Sequence, residues 1–262
     1  MSIVVKKPKS SKKPESNIKP NTNVKRSSNV LKKKTTRLNS GIPGFDALVQ
    51  GGFRNKSVNL LVGGPGSGKT IFSIMFLMEG LKKGEPGIYV TFEEKKEKLY
   101  EDMKSLGWDL EKYEKSGIFA YLEYTPEQVK KMLIEGGGTV DSLVSKIKAK
   151  RLVIDSITSF ALLYKEELSK KEAALALFEL IEKWGCTAVL TSQDTALRGA
   201  ELSSALDFEV DSIIILYYKK IKGIRTRGLE VLKMRGTKIP NETYGLKIDK
   251  SGLAILSQKI KF

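Results

Sequence analysis

The chain has 262 residues, 40% of them hydrophobic, and a formal charge of +16 from 46 Lys and Arg against 30 Asp and Glu, which supports one substantial core. It holds no histidine and a single cysteine, Cys186, so Ser-His-Asp catalysis, His-ligated metals, an intramolecular disulfide and a cysteine-built zinc site are all excluded, and a reducing, cytoplasmic setting is expected. No apolar run approaches the roughly 20 residues that span a bilayer, and the N-terminus lacks a signal-peptide core, so no membrane insertion is expected.

Residues 1–34 carry ten Lys and one Arg against a single Glu, most of the chain's net charge, in a stretch rich in Ser, Asn and Pro and poor in aromatics. Such a segment cannot bury enough apolar surface to offset its ordering entropy, which predicts a disordered basic tail ahead of a domain over 35–262. The tail either solubilises the protein or serves as an electrostatic arm for nucleic acid or another polyanion. Without interleaved aromatics, that binding would be weak in sequence preference.

From Arg37 the pattern changes. "LNSGIPGFDALVQGG" places turn residues on both sides of a short apolar segment, and "SVNLLVGG" reads as a buried strand ending in glycines. "TIFSIMFLMEGLKKG" has helix-length apolar content closed by Gly84; "PGIYVTF" is the next strand, and "EKLYEDMKSLGW" repeats apolar residues at helical spacing. "IFAYLEY" (strand), "TVDSLVSKIKAK" (helix), "RLVID" (strand) and the amphipathic helix "KKEAALALFELIEKWG" follow. The strands "CTAVLTSQ" and "VDSIIILYY" lead into a β-rich end containing "GLEVLKMRG" and "YGLKIDKSGLAIL". Strands alternating with helices predict an α/β fold with a mainly parallel central sheet flanked by helices and a β-rich C-terminal section.

"GGPGSGKT", Gly63 to Thr70, fits the pattern G-x-x-x-x-G-K-[ST] between a predicted strand and a predicted helix. Gly64, Pro65, Gly66, Ser67 and Gly68 would turn backbone N–H groups toward phosphates at a helix N-terminus. Lys69 would reach the β- and γ-phosphates and Thr70 would ligate Mg²⁺. Asp155, closing the strand "RLVID", is the expected second metal-site residue, holding a water of the Mg²⁺ shell.

With these parts in place the chain resembles the RecA-type ATPases, and more narrowly the KaiC-type domain. The likeness covers about residues 36–257 and rests on "SGIPGFDALVQGGF", "GGPGSGKT", "VTFEE" followed by "LGWDLEK", "RLVIDSITS" and "LEVLKMRGT". It implies a RecA-like P-loop NTPase fold binding ATP and Mg²⁺ in a homo-oligomer, a hexameric ring, with nucleotide between subunits. It further implies that Glu93 and Glu94 form a catalytic carboxylate pair, Glu94 foremost in orienting the attacking water. Nucleotide contacts would run through Ile71, and Ser105 would flank the adenine. Lys233, Met234, Arg235 and Thr237 would meet the nucleotide of a neighbouring copy, Lys233 and Arg235 as alternate residues on one strand face. Arg225 and Arg227 rank lower as contacts, Asp249 is a further nucleotide position, and Ser192 or Gln193 would sense the γ-phosphate. The family's circadian-clock ATPase has two such domains in tandem and this chain one, so clock function is not implied by the resemblance. A recombinase-like DNA-binding ATPase of the RadA/RadB type and an autokinase are the alternatives.

Overall fold

The computed structural model describes residues 36–161, 163–164, 166–193 and 209–262. The expected basic tail and the stretch directly after Gln193 lie outside the described residues. In chain order the elements are β1 (Arg37–Leu38), α1 (Phe45–Leu48), β2 (Phe53–Arg54), β3 (Val58–Gly63), α2 (Lys69–Lys82), β4 (Gly87–Thr91), α3 (Lys96–Ser105), α4 (Leu110–Lys115), β5 (Phe119–Glu123), α5 (Pro126–Ile134) and α6 (Gly138–Ile147). They continue with β6 (Arg151–Asp155), α7 (Ile157–Ala161), α8 (Glu167–Trp184), β7 (Thr187–Ser192), β8 (Ser212–Ile221), β9 (Ile224–Met234), β10 (Thr243–Asp249) and β11 (Gly252–Ile260). Among the described residues no helix is long and apolar enough to cross a membrane.

Nine strands form one sheet in the order β11-β10-β9-β8-β3-β7-β6-β4-β5. From β8 to β5 all neighbours run parallel; β9, β10 and β11 are antiparallel, as the β-rich C-terminal section predicts. The strands alternate strictly between two apolar cores. Leu61, Tyr89, Val153, Val189, Ile214 and Leu216 point to the face covered by α2, α3 and α4. Leu60, Val62, Ile88, Val90, Leu152, Ile154 and Leu190 point to the face covered by α5, α6 and α8. Two helices that the apolar periodicity does not announce are set by their caps. Asp109 accepts from the Lys112 N–H at the start of α4, and Thr125 with Gln128 forms a capping box on α5.

The α2 face also buries a charge. Arg151 opens β6 at 1% exposure, with Nε and Nη2 donating to Glu85 Oε2 at 2.8 and 2.6 Å. Its Nη1 donates to the carbonyls of Asn39 and Phe76, each at 2.8 Å. The guanidinium fits beneath α2 because position 80 is glycine: a Cβ there would lie 2.3 Å from Arg151 Nε and 2.5 Å from its Cδ. Helix propensity alone would make Gly80→Ala stabilising by about 1 kcal/mol. Displacing the guanidinium instead strands a buried charge, and a net loss of about 2–3 kcal/mol is expected in urea unfolding. In an Arg151→Met background the same substitution should cost far less.

Candidate phosphate and metal site

β3 is buried along its whole length and delivers the glycine-rich loop to the C-terminal edge of the parallel strands. β3 is followed in the chain by β4, yet β7 and β6 lie between them in the sheet. That crossover opens a crevice at the strand ends, where α/β sheets bind ligands. Gly66 (φ 73°) and Gly68 (φ 107°) adopt left-handed backbone that a side chain would strain. Gly68 is the N-cap of α2.

Lys69 Nζ lies over the loop, donating to the carbonyls of Gly63 at 2.7 Å and Gly64 at 3.2 Å. A Cβ on Gly64 would meet nothing within 4 Å, so the loop is open to an incoming group there. The Ser67 hydroxyl is buried and has no hydrogen-bond partner among the described residues. Open backbone, an ammonium and an α-helix N-terminus together suit a polyphosphate.

Asp155 ends β6 on the α2 face. Its Oδ2 accepts from Thr70 Oγ1 at 3.2 Å and from Tyr89 Oη at 2.6 Å, and its Oδ1 accepts from Thr191 Oγ1 at 2.6 Å. Among the described residues no group of three or more acidic or thiol side chains forms a metal cage. One hydroxyl beside one carboxylate is instead the donor set of Mg²⁺, which keeps waters and takes its remaining ligands from phosphate oxygens. The residues present therefore fit Mg²⁺ brought in with a nucleotide.

Glu93 and Glu94 sit just past β4. Their N–H groups both donate to Thr91 Oγ1, at 3.3 and 3.2 Å, which turns the chain out of the strand. The two carboxylates then differ. Glu93 is exposed, and its Oε1 accepts from Ser156 Oγ at 3.0 Å and also from Ser159 Oγ. Glu94 is half-buried; burial first, then the charge of Asp155, pushes its carboxyl above the ordinary glutamate range, against a weaker opposing pull from Lys98. A cleft of about 420 Å³ is lined by Thr70, Thr91, Glu93, Glu94 and Asp155 together with Lys95 and Lys98.

Other expected positions are distributed around the site. Ser192 closes β7, between the strand of the P-loop and the strand of Asp155; its hydroxyl lies 3.2 Å from Thr158 Oγ1, which also accepts from the Gln193 N–H at 2.8 Å. Ser105 is exposed at the end of α3, bonded to the Asp102 carbonyl at 2.6 Å. Asp249 ends β10, where hydrogen bonds from Ser251 and then Lys247 hold its carboxyl well below the usual range. The turn between β10 and β11 approaches α2 and Trp108, just past α3: a Cβ on Gly252 would lie 2.8 Å from both Met75 Sδ and Trp108 Cζ2. The side chain of Ile71, on the first turn of α2, packs against the core.

Lys233, Met234, Arg235 and Thr237 are elsewhere. Met234 pairs with Ser212 at the start of β8, and Ser212 pairs with Asn59 near the start of β3, whereas Leu216 pairs with Gly63 at its end. At about 3.3 Å per residue that separates the block from its own P-loop by roughly 13 Å of strand. β9 ends at Met234, so Arg235 lies one residue beyond the strand that was expected to carry it, and a register shift near Ile213 interrupts the alternation. The Met234 side chain is in the core. Arg235 is exposed; its N–H donates to the Asp211 carbonyl at 2.8 Å and its Nη1 lies 4.0 Å from Asp211 Oδ1. Arg37 holds Thr237 through a 2.7 Å bond from Nη2 to Oγ1.

Arg227 is closer to the site than its sequence rank suggested. Nε and Nη2 both donate to the Gly66 carbonyl at 3.1 Å, and the guanidinium lies 4.0 Å over the Tyr218 ring. Arg225 is 5.3 Å from the same ring. The signal was available only through pairing: Tyr218 and Arg227 are direct cross-strand partners on the P-loop side of the sheet.

A family model described as the KaiC ATPase matches residues 38–260. A UPF0273 protein of Pyrococcus horikoshii is 34% identical over 239 residues, covering 86% of this chain and 96% of that protein. The circadian clock protein KaiC3 of Synechocystis is 30% identical over 230 residues, covering 84% of this chain and 45% of the clock protein. The crystal structure of a KaiC-like protein of Pyrococcus horikoshii superposes with a TM-score of 0.75 at 36% identity, over 85% of this chain and 99% of that one.

Proposed function

We propose, since the chain belongs to the KaiC ATPase family, that it is a Mg²⁺-dependent ATPase whose copies assemble head to tail, each completing the nucleotide site of the next. The observation that carries this reading is the separation of the two halves of the site. The P-loop, Asp155 and Glu94 gather at the C-terminal edge of the sheet, while Lys233 and Arg235 stand at the opposite end. Those cations cannot serve their own phosphates, but a neighbour docked end to edge would receive them. A heterologous contact of this kind closes into a ring when its rotation allows, and a hexamer is the expected closure.

In this mechanism the loop N–H groups and Lys69 cradle the triphosphate, and Ser67 gains a partner for its buried hydroxyl. Thr70 and Asp155 would hold Mg²⁺, which would supply neutralisation of charge on the phosphate oxygens. Glu94 accepts a hydrogen bond from the attacking water and orients it; Glu93, engaged by two serine hydroxyls, holds the adjoining loop. Lys233 and Arg235 of the neighbouring copy neutralise charge developing on the transferred phosphoryl group. Residues 1–34 add ten Lys and one Arg to each copy, charge suited to a polyanion, and a single cysteine, Cys186, suits a reducing compartment.

The test combines light scattering with phosphate release. Assembly and turnover should both appear with ATP and Mg²⁺ and vanish with EDTA. A protein that stays monomeric with MgATP while hydrolysing it would overturn the shared-site reading. Hydrolysis that is stimulated by DNA and survives removal of residues 1–34 would favour the recombinase-type alternative.

A further inference from the structure

We propose that Tyr89 and Tyr121 form a stacked positioning pair that ties Asp155 to the Glu94 loop, so that the metal-binding and water-orienting groups keep a fixed relation across the cleft. The consequences for turnover rest on the ATPase reading above; the structural pairing does not.

Tyr89 is fully buried in β4, in a run where apolar side chains fill the core. A phenylalanine would fill that volume without a hydroxyl to satisfy. The hydroxyl is spent on Asp155 Oδ2 at 2.6 Å. From the other flank of β6, Thr191 on β7 donates to Oδ1 at 2.6 Å. Both strands that border β6 thus contribute one donor, and the carboxylate is fixed from two sides by sheet residues. The longer bond from Thr70, at 3.2 Å, comes from the start of α2 and is the one a metal would compete for.

Tyr121 does the equivalent for the other group. Its Oη donates to the Glu94 carbonyl at 2.6 Å and pins the turn that carries the glutamate. Tyr89 and Tyr121 are in-register partners on adjacent parallel strands, and their rings stack at 5.4 Å with 6° between planes. Tyr100 of α3, the helix after Glu94, meets Tyr121 edge-on at 5.8 Å and 85°. The two hydroxyls therefore project from a single rigid aromatic stack, one toward Asp155 and one toward the Glu94 turn.

Outer groups that orient metal ligands typically change metal affinity or activity by about 10–100-fold when removed. The experiment uses the full-length protein with ADP bound and Mn²⁺ as a paramagnetic probe of the metal site, alongside steady-state ATP turnover. Tyr89→Phe keeps the ring and should weaken Mn²⁺ binding about tenfold or more. The same substitution in an Asp155→Ala background should add less than about a twofold effect, because a hydroxyl that acts only through Asp155 has nothing left to orient. Tyr121→Phe should lower kcat about tenfold, with KM and Mn²⁺ affinity changed by less than about twofold.

Mn²⁺ affinity unchanged by Tyr89→Phe, or a loss of equal size with and without the Asp155 carboxylate, overturns the positioning role of Tyr89. Unchanged kcat in Tyr121→Phe overturns that of Tyr121. A wild-type protein that binds Mn²⁺ and ADP yet hydrolyses no ATP would defeat the ATPase reading while leaving the Tyr89 result to stand or fall alone.

Discussion

Arg235→Ala is expected to lower ATP turnover about 10³-fold while leaving the affinity of a single protomer for MgATP within about twofold of the original. Arginine side chains supplied across an interface to a transferring phosphoryl group have effects of this size, because their charge matters most where negative charge spreads in the transition state. The reason to assign that part to Arg235 is placement. It is exposed beyond the end of β9, backed by Asp211, whose carboxylate also accepts from the Val58 N–H at 3.0 Å. It stands at the edge of the sheet opposite the phosphate loop.

A shared site also permits complementation. An Arg235→Ala copy retains Glu94, and a Glu94→Gln copy retains Arg235. In a randomly mixed ring about a quarter of the interfaces would join the intact halves, so two nearly inactive proteins should regain activity on mixing. If each copy used its own Arg235, mixing would restore nothing. Assays of the separate variants and the mixture, at equal total protein, decide between the two.

The parts of this site differ in how far the sequence discloses them. The phosphate loop is local: strand, glycines, Lys69, Thr70 and helix are consecutive, and the structure keeps them so. Asp155 was legible as the last residue of an apolar strand. The opposition of the "KMRG" block to the P-loop was not, because it depends on β8 running parallel to β3 while β9 returns antiparallel, a pairing between distant segments. The same non-local pairing brings Arg227 onto the Gly66 carbonyl. Tyr89 was hidden for a different reason. In "IYVTF" it scores as one more core residue, and only the register of β4 against β6 shows that its hydroxyl reaches Asp155.

Glu94→Gln is the second large effect. It should reduce kcat by about 10²–10⁴-fold, the range for loss of a positioned acid–base group, while MgATP binding persists and the assembled form accumulates. Glutamine matches glutamate in size, so the cleft and the Tyr121 bond to the main chain should survive. Glu93→Gln should cost much less, since Glu93 Oε1 is already occupied by Ser156 and Ser159. The pH profile gives an independent check. Burial and the nearby Asp155 raise the Glu94 carboxyl, so its acceptor form is present above that raised value and is lost as pH falls through it. Wild-type kcat/KM, which reports the free enzyme, should therefore decline on the acid side at a pH above the ordinary glutamate range. The residual activity of Glu94→Gln, having no proton to gain at that position, should lack that limb. An identical acid limb in wild type and variant would assign the titration to another group and remove Glu94 from its role.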